Sequence, residues 1–276
     1  MTAERPFDPV VPAEGWHVLH LFYRVEYGQW HLLGREEQRQ AKTDLSLLIQ
    51  EIRATPDTQL LAFSVVTPKA DLGFMLLTPD LQTANAFEKR LSLSLGPDVL
   101  TPVYSYLSMT ERSEYTTSEA DYTAETLEKE RGLAAGTPEF DEALTEFRAR
   151  MDKYGKERLY PKLGNRPVLC CYSMNKRRHE KQNWFRMNHA ERKDLMAGHA
   201  RIGRNWAGKI RQLVTGSTGL DDSEWFVTLF AHDTHDVKGI IYEMRFDPVS
   251  AEYGEFGEFY IGLQLPLDEL FRRLQL

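Results

Sequence analysis

The succession of hydrophobic patterns constrains the fold more than any single motif does, because the same succession occurs twice along the chain. After a short Pro-containing arm, residues 16–25, WHVLHLFYRV, are aromatic and β-branched and predict a strand. Residues 29–53 predict a long helix, with Trp30, Leu33, Leu45, Leu48, Ile49 and Ile52 on its buried side. Two strands at 60–66 and 72–77, a helix at 79–95 and a strand at 99–109 complete the first unit. The second half repeats this order: strand 167–174, helix 188–211, strands 212–215 and 225–230, helix 233–244 and a closing strand at 255–263. Each half reads β-α-β-β-α-β, the ferredoxin-like arrangement in which helices cover one face of an antiparallel sheet. Two such units in tandem predict an α+β chain whose sheets pack into a dimeric α+β barrel. The expected units are 1–115 and 158–276. Between them, 116–157 is an acidic connector with helical pieces at 125–131 and 138–154.

Composition narrows the function classes. Forty-one acids against 34 bases leave a formal charge of −7, which argues against nucleic acid as a partner. No apolar run reaches the length of a membrane span. Cys170 and Cys171 are adjacent, so on a strand they face opposite ways and neither a disulfide nor a thiolate metal site is expected. These features suit a cytoplasmic protein. His232 and His235, in AHDTHD, superficially suggest a metal site, but the pattern is also that of a turn and a helix cap.

The helix at 188–211 carries the most informative side chain. Asn188 with Glu191 three residues on forms a capping-box signal. Leu195, Met196, His199, Ile202 and Trp206 then recur at helical spacing, which puts an imidazole within an apolar stripe. Gly198, Gly203 and Gly208 interrupt that helix at roughly 1 kcal/mol each relative to alanine. Two readings stand at this point: a core histidine beside close-packing glycines, or an imidazole facing something flat and bulky. On the strand before it, Val168, Cys170, Tyr172, Met174 and Lys176 share a face, as do Gln212, Val214 and Gly216 on the strand after. Tyr172 and Lys176 would reach into any pocket on that face, or serve as a core tyrosine and the start of the basic turn KRRHEK.

Three stretches taken together resemble the chlorite dismutase family, and within it the members that decarboxylate coproheme. They are RLYPKLGNRPVLCCYSMNKRR, NWFRMNHAERKDLMAGHARIGRNWAGKIRQLVTGSTGLDDSEWFVTLFAHD and YEMRFDPVSAEYGEFGEFYIG; the first half matches more loosely, in GWHVLHLFYR and YSYLSM. The resemblance implies that His199 is the axial ligand to haem iron, that Tyr172 is the redox tyrosine near the reacting propionate, and that Lys176 assists there. It further implies that Arg245 and Ser250 hold propionates and that Arg158 and Met174 line the pocket. Gln212 falls on the distal position, where chlorite dismutases carry arginine, which points away from chlorite. The family's Asn after YSYLSM has Glu114 in its place, so that contact is not carried over.

The implied reaction is the hydrogen-peroxide-driven loss of CO2 from two propionates of coproheme, an iron porphyrin, giving haem b. A ring-shaped homopentamer and a transient contact with ferrochelatase are implied in the same way. Neutral imidazole is an ordinary iron ligand, and arginine suits the gripping of carboxylates. Two rivals remain open: a haem peroxidase or weak chlorite-degrading enzyme of the same fold, and a non-enzymatic haem carrier or sensor.

Overall fold

A computed structural model describes residues 8–276, so the first part of the N-terminal arm lies outside the described residues. The first half contains β1 (His17–Val25), α1 (Tyr27–Leu32), α2 (Arg35–Ala54), β2 (Gln59–Val65), β3 (Leu72–Thr78), α3 (Leu81–Leu93) and β4 (Leu100–Thr110). The single helix expected at 29–53 is in fact two. Leu33 and Gly34 adopt extended backbone, and the Glu37 carboxylate accepts the Gly34 N–H at 2.7 Å to start the second helix. Asp80 caps α3 by accepting from the backbone N–H groups of Gln82 and Thr83.

The connector is helical. A short α4 (Glu119–Asp121) runs into a π-helical stretch at Tyr122–Glu130, and α5 (Pro138–Leu159) follows. Because α5 runs on to Leu159, the boundary read at 157/158 falls within its last turn, and Arg158 arrives on that helix.

The second half contains β5 (Val168–Lys176), α6 (His189–Asn205), β6 (Ile210–Gly216), β7 (Trp225–Ala231), α7 (Thr234–Met244), α8 (Pro248–Tyr253), β8 (Gly254–Phe256), β9 (Tyr260–Gln264) and α9 (Leu267–Arg273). The expected closing strand is split into β8 and β9, which pair with different ends of β5. Gly257 bridges them, donating its N–H to the Ser173 carbonyl at 2.8 Å in a place where a Cβ would strike the Ser173 hydroxyl. Helices α8 and α9 went unread.

Helices pack on an antiparallel sheet of order β7-β6-β4-β1-β3-β2-β9-β5-β8. β5 also pairs with β7, so the pairings running from β7 round to β5 return to β7. The two halves join at β4–β6, through Met109 and Thr110, and at β2–β9, through Phe63, Ser64 and Val65. Between these joints Val18, Phe22, Met75, Phe226 and Phe230 build a core shared by both halves. Cys171 lies in that core, whereas Cys170 belongs to the cluster containing Val237 and Ile240 of α7. The neighbouring thiols are free, buried and on opposite faces, as their adjacency requires.

At the β2–β9 joint the Phe63 ring lies across two glycines on the flanking strands. A Cβ at Gly73 would stand 2.1 Å from that ring and one at Gly262 2.4 Å. Gly73→Ala is therefore expected to destabilise the fold by about 1–3 kcal/mol through overpacking. The measurement is a shift of the urea midpoint at constant slope. Gly28→Ala, a helical position with open space around it, should show no such loss.

Candidate functional site

Strand register assembles the floor of one large cavity. Across β5, β7 and β6 the ladder sets Tyr172 beside Val227 and Val214, and Met174 beside Trp225 and Gly216. Alternation then places Lys176 and Gln212 on the same face. These side chains, together with Met196 and His199 of α6 and Ile240, Ile241 and Met244 of α7, line a cavity of about 350 Å³. Glu111 to Tyr115, Arg158, Trp184, Ser250 and Phe256 complete the wall.

Helix α6 is held over this floor from both ends and from its middle. The capping box forms as expected: Asn188 accepts the Glu191 N–H at 3.0 Å, and Glu191 accepts the Asn188 N–H at 2.9 Å. The helix ends at Asn205 rather than 211, because Gly208, at φ +86°, turns the chain towards β6. Gly208 thus lies beyond the helix. The Trp206 ring packs on Gly239 of α7, where a Cβ would approach to 2.2 Å, and its indole N–H donates to Glu243 at 2.7 Å. None of the residues of α6 is fully buried, and Met196 and His199 of its apolar stripe face the cavity. The core-histidine reading of His199 therefore fails.

The His199 Nδ1 lies 2.8 Å from Oδ2 of Asp247, a buried carboxylate that also caps α8 at the Ser250 N–H. With Nδ1–H donated to Asp247, Nε2 is left as the lone-pair nitrogen. It has no partner among the described residues. Burial lowers the imidazole pKa, Asp247 opposes this, and the nearby Lys176 charge adds to the lowering. That balance favours a neutral ring able to ligate a metal.

Lys176 is itself buried, with its ammonium 4.6 Å from the centre of the Trp184 ring. Burial brings its pKa down to about 8, while Asp247 and Glu224 hold it up. The Tyr172 ring stacks on Phe259 at 4.5 Å, and burial pushes its phenol far above the ordinary range. Arg158 donates from Nε to the Glu111 carbonyl at 3.3 Å, an anchor that steadies its guanidinium at the wall.

Seven of the eight residues singled out from sequence, His199, Tyr172, Lys176, Met174, Gln212, Arg158 and Ser250, line this one cavity. Arg245 does not. It stands at the C-terminal end of α7, exposed, with its guanidinium carbon 5.9 Å from the centre of the Phe256 ring of the site. Sequence reading missed Asp247, Glu111, Trp184 and Trp225. An Asp before a Pro is a helix-start signal and could have marked Asp247, and alternation from Leu229 and Val227 could have placed Trp225. His232 and His235 are exposed, and between them Asp233 caps α7 by accepting the Asp236 N–H at 2.9 Å.

Fold and cavity together define the class. The family model described as chlorite dismutase matches residues 38–265, and the chain belongs to that family. A coproheme decarboxylase of Staphylococcus carnosus (strain TM300) is 36% identical over 260 residues, covering 93% of this chain and 94% of that protein. Among solved structures, a heme-binding protein of Thermus thermophilus superposes with a TM-score of 0.79 at 34% identity, covering 99% of this chain and all of that one. A mutant chlorite dismutase of Candidatus Nitrospira defluvii gives a TM-score of 0.70 at 14% identity, covering 96% of this chain and 98% of the other, a likeness of fold alone.

Proposed function

We propose that this chain binds iron coproporphyrin and, with hydrogen peroxide, converts two of its propionates to vinyl groups, giving haem b. One observation carries the reading: a carboxylate-oriented imidazole shares a cavity with a buried phenol and a buried ammonium. The residues fit such a ligand. His199 keeps Nε2 for the metal, and Val214, Val227, Leu229, Ile240 and Met244 offer apolar surface to a macrocycle. Arg158, Lys176 and Ser250 meet carboxylates. Gln212 adds a neutral amide, and Met174 packs beside Tyr172.

When bound, the iron would supply the reaction with peroxide. The protein's part is to orient the substrate and to manage protons. Each propionate consumes one peroxide and one proton, leaving a vinyl group, CO2 and two waters. Tyr172, whose hydroxyl has no partner among the described residues, would relay the oxidation, giving up an electron and its phenolic proton and regaining both from the reacting propionate. Lys176 holds the carboxylate by charge until CO2 departs.

Other parts of the reading rest on the resemblance and on general features. The closed circuit of pairings supports two ferredoxin-like units, 1–115 and 158–276, forming one α+β barrel with 116–157 as the connector. A homopentamer fits the exposed ring pair of Tyr242 on α7 and Phe246 just beyond it and is checked by mass in solution. Free, buried cysteines suit the cytoplasm. A transient contact with ferrochelatase follows from the resemblance alone.

The decisive experiment loads the purified protein with iron coproporphyrin, adds peroxide and follows the porphyrin's mass. Two successive losses of CO2 and two hydrogens are expected. A porphyrin that binds but keeps its mass while a dye is oxidised would make this a peroxidase.

A further inference from the structure

The cavity floor is electrically lopsided. Met174 of β5, Trp225 of β7 and Gly216 of β6 form one row of the ladder, with neighbouring strands about 5 Å apart. Lys176 stands one step beyond Met174 on the same face of β5. At the far end of the row Gly216 has no side chain, and the carboxylate of Glu111, arriving from the end of β4, fills that place. A Cβ at Gly216 would stand 2.1 Å from its Oε2 and 2.8 Å from its Oε1. The Trp225 Nε1–H donates to Oε1 at 3.2 Å, which fixes the acid against the floor. A buried cation at Lys176 and an anion at the Gly216 position thus share one face, about 12 Å apart across two strand spacings and one two-residue step.

Few other charges act on Glu111. Arg158 reaches it from α5, through the bond to its carbonyl, and Glu114 lies on its own loop. Among the described residues, the strands offer it the Trp225 indole and the Gly216 backbone. Burial raises its carboxyl above the ordinary range and Glu114 adds to this, while Trp225 and Arg158 work the other way.

We infer that Glu111 is a specificity-determining residue of this cavity, one that accepts an uncharged edge of a porphyrin beside Trp225 and turns carboxylate-bearing edges away. The inference rests on the porphyrin reading proposed above. Its chemistry distinguishes two isomers that differ only in the placement of substituents. Coproporphyrin III has one edge that carries methyl groups alone. Coproporphyrin I alternates methyl and propionate round the ring and has no such edge. With Glu111 charged, isomer III can lay its methyl edge on the indole and send its carboxylates towards Lys176. Isomer I must bring a carboxylate up to Glu111 in every rotation.

The test titrates metal-free coproporphyrin III and I into the full chain at neutral pH and follows porphyrin fluorescence. The parent is expected to favour isomer III by roughly fivefold, the order of one like-charge contact in water-like surroundings. Glu111→Gln, which keeps the acceptor for Trp225, should reduce that preference to about twofold or less by binding isomer I more tightly. Glu114→Gln should keep it. Should the Gln variant fail to fold, Glu111→Ala removes the same charge and carries the same expectation. Equal affinities in the parent, or a preference that survives the loss of the Glu111 charge, would overturn the inference. A parent that binds neither isomer would overturn it together with the porphyrin reading.

Discussion

A His199→Ala chain loaded with iron coproporphyrin is expected to lose the absorption signature of imidazole ligation and to lose turnover by several orders of magnitude. The floor, Arg158, Lys176 and Ser250 remain in place, so the porphyrin itself should still be retained. Asp247 supplies the graded comparison. It accepts from His199 Nδ1 at 2.8 Å, so Asp247→Ala leaves the ligand present but lets its tautomer and ring orientation wander. Loss of such a supporting carboxylate typically costs about 10–100-fold in metal affinity or activity. The expected order is therefore parent, then Asp247→Ala, then His199→Ala. Added imidazole should restore part of the spectrum in the last of these, because the vacated ring volume opens on the cavity. An unchanged spectrum in His199→Ala would remove the metal-binding role from this helix.

Much of this architecture is legible in the sequence, and the reason is periodicity. Strands β1 to β7 carry alternating or continuous apolar runs because both faces of the sheet are covered, by helices on one side and by the shared core on the other. The same alternation put Tyr172, Met174 and Lys176 on one face, and the ladder brings them to the cavity with Gln212 and Val214. What escaped was fixed by contacts far apart in sequence. Asp247 meets His199 across 48 residues, and Glu111 meets Trp225 across 114, neither of which a local pattern encodes. Helix ends failed for a different reason. The break at Gly34 and the exit at Gly208 are single-residue backbone events, and a moment-based reading runs straight through them. Arg245 shows a different limit of local pattern. Its neighbours in sequence belong to the site, but it sits at the end of α7 with its guanidinium outside the cavity wall.

Tyr172→Phe is expected to separate binding from chemistry. The phenol hydroxyl has no hydrogen-bond partner among the described residues and the ring is fixed by stacking on Phe259, so removing the hydroxyl leaves packing intact. Folding stability and porphyrin affinity should stay within about twofold of the parent, while turnover with peroxide should fall by about a hundredfold or more, the lower range for losing a positioned proton-transfer group. A non-enzymatic carrier would show no change in any of these. The pH profile tests the partner group. Burial depresses Lys176 from its ordinary 10.5 to about 8. An unfolded chain therefore still binds this proton where the folded one has released it, so the burial penalty is fully present below about pH 8 and is relieved as pH rises towards 10.5. Chemistry that needs the ammonium runs the opposite way: turnover should decline through about pH 8 while stability does not. Lys176→Met preserves the apolar stem over Trp184 and should erase that limb at a lower overall rate. Turnover that stays level in the parent from about pH 7 to 9.5, or a limb that persists in Lys176→Met, would take Lys176 out of the reaction.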